Sequence, residues 1–360
     1  MEAGDSRILL TADDLDGYLS VEDKQDIKDL DELYSQAMQD YKILESSANQ
    51  TRLDQSRENI ISTYNRIGDR IQEICDRHPQ INVYSFQLPP SSRGEASRLI
   101  AKLRDVRTSH QEFLYYIQRA YELLFNLAFH QGETQSKNHL IVKTPVNDPV
   151  QNYAIHKIPD VDSKIENSVM CVMLRGALLP SMIMSKEVQE YSSTGYVTPF
   201  ALFRIQRDDS RKESDMHYVL DLKSSFFDLE SLDGKDLFFA DPMNATGGSL
   251  VTIVQYLKDQ GVKPRSIQFF NVISAVKGSL RIARAIEGVK IYTLWMDPVL
   301  NSKAYILPGL GDAGDRLNGQ DIEGNSRNII QLIADYGAGI TNLYRSQVRE
   351  IERTVLGEMG

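Results

Sequence analysis

Through the first third of the chain apolar side chains recur every three or four positions, and in the remainder they gather into short continuous runs. Ile27, Leu30, Tyr34, Ala37, Tyr41 and Leu44 step by three and four within Val21 to Glu45, which places them on one face of a helix. Ser46 to Asn49 breaks the pattern. Leu53, Ile60, Tyr64, Ile67, Ile71 and Ile74 then keep the same spacing until His78-Pro79 ends it, because proline cannot continue a helix. A helical hairpin over residues 20–77 is expected, packed on its own core rather than acting as a coiled coil, since each helix holds few heptads. A further helical stretch runs from Glu95 to His130. Ser109, with Glu112 three residues on, completes a capping box and divides it into two helices.

From Leu140 the apolar runs are LIVKTPV (140–146), VMCVML (169–174), PFALFRI (199–205), DLFFA (236–240), SIQFFNVI (266–273) and KIYTLWM (290–296). Helical windows at 250–260 and 278–286 lie between some of them. Buried strands alternating with helices predict βαβ units and a mostly parallel sheet, so this part of the chain is α/β. Ile329, Ile330, Ile333, Ile340, Tyr344, Val348, Ile351 and Val355 return to a helical spacing in a tail loosened at Gly337 and Gly339.

Composition narrows the classes. With 360 residues, 41% hydrophobic and 25% charged, the chain is neither disordered nor fibrous. Cys75 and Cys171 stand far apart and outside any CxxC, which disfavours a disulfide or zinc framework. The opening MEAGDSRILL lacks a basic region followed by an apolar run, and no stretch of about 18 apolar residues occurs. A cytoplasmic protein without a membrane span is expected. Most of the net charge of −10 sits in residues 1–32, where eleven acidic side chains face three basic ones. That arm repels nucleic acid and anionic membranes and is expected to be a solvated acidic leader.

Two segments carry chemistry. In DLFFADPMNATGGSLVTIVQYLKDQG (236–261) an apolar strand ends on Asp241, and Ala245, Thr246, Gly247, Gly248 and Ser249 open an amphipathic helix. Converging backbone N–H groups, two hydroxyls and a helix N-terminus make an anion cradle suited to phosphate. The acid can accept hydrogen bonds from ribose hydroxyls. Neither GxxxxGK[ST] nor GxGxxG is present, so Walker A and dinucleotide loops are excluded. In NSKAYILPGLGDAGDRLNG (301–319), Gly309, Gly311 and Gly314 crowd around Asp312 and Asp315. Among the histidines (His78, His110, His130, His139, His156, His217) no HxxxH or HExxH occurs, so no protein metal site is expected.

The acid followed by a short phosphate loop resembles the phosphoribosyl diphosphate (PRPP) loop of type I phosphoribosyltransferases. The second segment resembles the uracil-binding loop of uracil phosphoribosyltransferases, written YI-x-PGLGDAGDR. LRDVRTSHQEF (103–113), LIVKTPV, VMLRGALLPSMIM (172–184), FRIQRDDSRKES (203–214) and MDPVLN (296–301) resemble further segments of that family, from about Ile81 to Gly319. The resemblance implies a type I phosphoribosyltransferase-like fold over 80–320, with an acidic leader and hairpin over 1–79 and a helical tail over 321–360 as additions.

It also implies roles. Asp241 would contact the ribose, and the run Pro242, Met243, Asn244, Ala245, Thr246, Gly247, Gly248 and Ser249 would bind PRPP, its 5′-phosphate held from Ala245 to Ser249. Arg175 and Arg207 would take the diphosphate. Tyr305 would pack beside uracil, Ile306, Gly311 and Ala313 would read it through the backbone, and Asp312 would face PRPP and its magnesium. Asp241 and Asp312 would be the catalytic pair, and magnesium would arrive on PRPP. The resemblance also implies a homo-oligomer, dimer or tetramer, and allows a GTP effector, since some members of the family respond to GTP. Two departures stand out. Arg175-Gly176-Ala177 replaces the family's Arg-Ala-Gly, and Asn244 replaces Leu, a change tolerable if the side chain faces solvent. They keep a second reading open, a catalytically impaired sensor or assembly protein that binds PRPP or UMP.

Overall fold

The sheet that organises the molecule is built almost wholly from the apolar runs. The computed structural model describes residues 7–46, 49–87, 93–129, 137–318 and 345–357. Strands β1 (Arg7–Thr11), β2 (Ile81–Val83), β5 (Ser168–Leu174), β6 (Phe200–Arg207), β7 (His217–Phe226), β8 (Asp236–Asn244), β9 (Ser266–Ala275) and β10 (Lys290–Asp297) form one eight-stranded sheet. Its order is β1-β7-β6-β5-β8-β9-β10-β2. From β6 to β2 all neighbours are parallel, while β7 runs antiparallel to β6 and β1 antiparallel to β7. Every residue of β5 is buried, as a central parallel strand covered on both faces requires.

Helices α5 (Arg93–Arg104), α6 (His110–Phe129), α8 (Leu178–Tyr191), α9 (Gly248–Asp259) and α10 (Val276–Ala285) cover the sheet. The capping box is in place between α5 and α6: the Ser109 backbone N–H donates to Glu112 Oε2 at 3.0 Å, and the Glu112 N–H to Ser109 Oγ at 3.4 Å. After β5 the chain moves outward through α8 to β6, and β8 then returns to the other side of β5. The β5/β8 boundary is thus the topological switch point, outside whose carboxyl ends an open α/β sheet binds its ligand.

Helices α2 (Val21–Ser46) and α3 (Gln50–Asp76) form the expected hairpin, with Asn49 capping α3 by accepting from the Arg52 N–H at 3.2 Å. Its core is not its own. Leu30 and Tyr34 from α2 and Ile67, Ile71 and Ile74 from α3 are buried in the same apolar cluster as the sheet strands. The acidic leader also departs from expectation. Part of it is strand β1, part is the short helix α1 (Ala12–Asp16), and several of its described acids, Asp16, Asp23 and Asp26 among them, are paired rather than solvated. Asp23 and Asp26 are buried, Asp23 receiving Arg284 at 2.9 and 3.0 Å and Asp26 receiving Arg70 at 2.7 Å.

A further correction concerns a strand. LIVKTPV does not enter the parallel sheet. Its strand β3 (Lys137–Lys143) pairs antiparallel with β4 (Tyr153–Pro159) in a separate hairpin that leaves Ile141 and Ile155 more than 60% exposed. FRIQRDDSRKES forms the end of β6 and the turn leading to β7, with the Glu213 N–H donating to Ser302 O at 2.8 Å. At the C-terminus α12 (Arg345–Leu356) buries Val348 and Ile351 as the spacing predicts, while Ile329, Ile330, Ile333, Gly337, Gly339, Ile340 and Tyr344 lie outside the described residues. Among the described residues no helix is long and apolar enough to cross a membrane.

Candidate active site

Strand β8 delivers Asp241 near its carboxyl end, and the chain then turns through Ala245 to Gly247 into α9. The turn is tight because glycine makes it so. Gly247 has φ +76°, and a Cβ there would stand 2.8 Å from Gly278 O and 2.9 Å from Ile282 Cγ1 on α10. A Cβ on Gly248 would collide with the ring of Tyr218, which β7 lays over the start of α9. The loop is therefore clasped between α10 behind and Tyr218 in front.

Asp241 accepts the Met243 N–H at 3.0 Å, and Asn271 Nδ2 donates to its backbone carbonyl at 3.0 Å. Burial pushes its carboxyl up to about 7; the Met243 N–H opposes this and the Asp312 carboxylate adds to it. Asn244 does not face solvent. It is buried and donates through Nδ2 to Ser279 Oγ at 3.3 Å, so the polar side chain is paired inside instead of exposed.

Opposite the phosphate-type loop stands the segment from Asn301 to Arg316. A short pair, β11 (Val299–Leu300) with β12 (Ile306–Leu307), opens it, and Asn301 Oδ1 gathers the N–H groups of Lys303 at 2.9 Å and Tyr305 at 3.0 Å. Gly309, at φ +62°, lies so close to Ile306 O that no Cβ fits. The segment is braced from below. Asp297, at the end of β10, accepts Gly309 N–H at 3.0 Å on Oδ2 and Arg104 Nη2 at 2.6 Å on Oδ1. Arg316 Nη1 donates to Leu310 O at 2.9 Å and to Leu103 O, and its guanidinium lies 4.0 Å from the centre of the Phe113 ring. His110 Nδ1 is 2.8 Å from Arg316 O. Residues 103–113 and 296–301 thus act as the foundation of this loop.

Between the two loops is a cleft of about 230 Å³. Of the residues expected at the site, Arg207, Asp241, Met243, Asn244, Ala245, Thr246, Gly247, Gly248, Ser249, Tyr305, Ile306, Gly311 and Asp312 line it. Pro242, Ala313 and Arg175 do not. Pro242 is buried within β8, and Ala313 is buried at the first turn of α11 (Ala313–Asn318). Arg175 is half-buried just beyond β5, next to Gly176, whose Cβ position would lie 3.6 Å from Gly314 Cα. The Arg175 turn therefore abuts the opposite loop rather than the cleft itself.

Arg207 Nε donates to Asp209 Oδ1 at 2.6 Å and Nη1 to Ala304 O at 3.4 Å, with its guanidinium 5.0 Å from the Tyr305 ring centre. Asp312 Oδ1 accepts the Asp315 N–H at 3.0 Å, so this acid also caps α11. The cleft holds residues that the sequence did not single out: Met173, Asp209, Tyr218, Leu250, Phe269 and Ala304. Tyr218 is the most consequential. Its hydroxyl is buried near Thr246 with no hydrogen bond of ordinary geometry, and burial pushes it up despite the Thr246 hydroxyl. Among the described residues no group of three or more His, Cys, Asp or Glu could hold a metal.

The family model described as uracil phosphoribosyltransferase matches residues 91–319. The uracil phosphoribosyltransferase of Dictyoglomus thermophilum is 32% identical over 220 residues, 61% of this chain and 93% of that protein. That of Campylobacter fetus is 31% identical over 60% and 89% of the two chains. Identity reaches 46% with the Streptococcus mutans protein over 90 residues, 25% of this chain and 42% of that one. Among solved structures, the AQ2163 protein from Aquifex aeolicus aligns with a TM-score of 0.46 at 22% identity, over 67% of this chain and 99% of that one.

Proposed function

Because the chain belongs to the uracil phosphoribosyltransferase family, and so to the enzymes that transfer phosphoribosyl groups, we propose that it converts uracil and PRPP to UMP and diphosphate. The observation that carries this is one cleft lined both by the phosphate-type loop, Ala245 to Ser249, and by the glycine-rich loop around Ile306 and Gly311, with Asp241 in the same wall.

In this reading the backbone N–H groups and hydroxyls of Ala245 to Ser249 hold the 5′-phosphate at the start of α9. Asp241 binds the ribose hydroxyls. Its Met243 N–H bond fixes the carboxylate, and a ribose ring turning cationic at C1 would favour the ionised form that burial disfavours. Arg207, which lines the cleft, receives the diphosphate. Ile306 and Gly311 present backbone groups to the pyrimidine edge while Tyr305 closes one side. The bond from uracil N1 to C1 forms as the bond from C1 to the diphosphate oxygen breaks; diphosphate leaves with the electron pair and the N1 proton passes to water. No covalent nucleophile is required.

The donor set fits magnesium brought by PRPP. Asp241 and Asp312 are two carboxylate walls of one cleft whose charges oppose each other, and hard oxygen donors of this kind suit that ion. Asp312 and Asp241 would hold it together with oxygens of the substrate, where it would supply charge neutralisation for the departing diphosphate. UMP formation of this kind would place the protein in pyrimidine salvage.

The test is UMP and diphosphate formation by the purified protein with uracil, PRPP and magnesium, beside Asp241→Asn. Uracil-dependent diphosphate release that is lost in the variant supports the reading. Tight PRPP or UMP binding with no turnover would overturn it in favour of a nucleotide sensor.

A further inference from the structure

Residues 7–31 lie outside the matched region, yet they reach the back of the phosphate-type loop. The link is Arg281 on α10, whose guanidinium is fully buried at 0% exposure. Its Nε and Nη2 donate to Asp16 Oδ1 at 3.0 and 2.6 Å, and Nη2 also stands 3.1 Å from Glu213 Oε1. The remaining branch, Nη1, donates to the Thr246 carbonyl at 3.4 Å. Lys277, one turn earlier, pairs with Glu213 at 2.8 Å and lies 3.9 Å from Asp16. Asp16 and Glu213 thus face Arg281 and Lys277, with Asp31 close enough to act on both Glu213 and Lys277, in a place where a guanidinium cannot shed its charge.

The geometry of a trans peptide makes this cluster matter to the ligand. The Thr246 carbonyl and the Gly247 N–H belong to one planar unit and point in opposite directions. A guanidinium that holds the carbonyl toward α10 therefore turns the Gly247 N–H away from α10, toward the side on which the cleft lies. The close approach of Gly247 to Gly278 leaves the loop little freedom to move against α10. Asp16 sets where Arg281 stands. Without its charge the guanidinium is drawn to Glu213 and away from Thr246.

We propose that Asp16 is a positioning residue of the phosphate site, acting through Arg281 on the Thr246–Gly247 peptide, so that the N-terminal segment is a working part of the PRPP pocket. This rests on the function proposed above. Asp23 supplies the comparison: it anchors the same segment through Arg284 without touching the loop.

Asp16→Asn, Asp16→Glu and Asp23→Asn, each made in the full chain, are compared for kcat, for KM toward PRPP and uracil, and for thermal unfolding. Loss of one charge-assisted contact predicts that Asp16→Asn raises KM for PRPP roughly tenfold while KM for uracil stays within about twofold. Asp16→Glu recovers most of that loss, and Asp23→Asn lowers thermal stability without moving KM for PRPP. An unchanged KM for PRPP in Asp16→Asn overturns the inference. So does an equal rise in Asp16→Asn and Asp23→Asn that follows their loss of thermal stability, since mere docking of the segment then suffices. If the wild type binds ribose 5-phosphate but does not turn over, calorimetry with that ligand decides. Weaker binding by Asp16→Asn alone upholds the positioning role while the transfer reading fails, and equal binding overturns it. A wild type that binds no sugar phosphate overturns both.

Discussion

Arg104 and Asp297, 193 positions apart in the chain, meet at 2.6 Å beneath the glycine-rich loop, and the second oxygen of the same carboxylate accepts the Gly309 N–H at 3.0 Å. One buried acid thus ties a helix end to the loop assigned to the base. Burial pushes the Asp297 carboxyl up, with Arg104 and the Gly309 N–H opposing. Removing Arg104 strands a charge that is almost wholly out of water, which costs about 3 kcal/mol or more. Arg104→Ala is expected to lower the thermal midpoint and to raise KM for uracil more than KM for PRPP. An equal rise in both would refute the assignment of this bond to base binding.

Asp241 makes stability depend on pH in a definite direction. Its folded carboxyl is raised from 3.8 to about 7 in the ligand-free protein. The stability this contributes is fully present below the unfolded value, where the group is protonated in both states, and is lost as pH rises through about 7. Asp241→Asn, neutral throughout, escapes that loss. Its thermal midpoint, measured without ligands, is expected to gain on the wild type by a few degrees between pH 5 and pH 8, while transfer activity disappears. A gap that does not change with pH would show that the carboxyl is not raised.

Gly248 and the Tyr218 ring exclude any side chain between them. Gly248→Ala is expected to push either the ring or the loop aside and to raise KM for PRPP by on the order of tenfold or more, since a misplaced phosphate cradle loses several contacts together. Combining it with Tyr218→Ala, which empties the space, is expected to recover part of the loss. Steady-state kinetics of the two single variants and the double variant check this, and a fully additive loss would count against the clash.

Cys75 and Cys171 are both buried and both thiols are raised by burial, Cys75 to about 12. The thiolate is the reactive form, so neither should react with a thiol reagent at neutral pH in the native state. Unfolding in denaturant should release both. Rapid labelling of the native protein would show that one of these sites opens.

The strand, turn and helix around Asp241 were legible because the three signals lie within one 26-residue segment: an apolar run, closely spaced glycines and a periodic helix. The same holds for the split between α5 and α6 at Ser109. β7 escaped because HYVLDLKSSF follows a charged stretch and its apolar residues are cut short after Leu220 by Asp221 and again by Lys223, Ser224 and Ser225, so it does not read as a buried run. β3 misled in the other direction, its apolar residues facing outward in a two-stranded hairpin. Tyr218, Arg104, Asp297 and Arg281 matter through partners remote in sequence, as with Asp16 and Arg281, 265 positions apart. No local pattern announces such pairs.

The five residues of β1 carry a consequence for handling the protein. They occupy the outer flank of β7, pairing Arg7 with Asp221 through to Thr11 with His217. A protease that clipped the chain after Thr11 would exchange this five-residue edge for that of the ten-residue β7, a longer open row of amide donors and carbonyl acceptors, the kind of surface that templates sheet-to-sheet association. Nicked molecules would thus accumulate as aggregates, and an intact amino terminus would serve as a mark of solubility during purification.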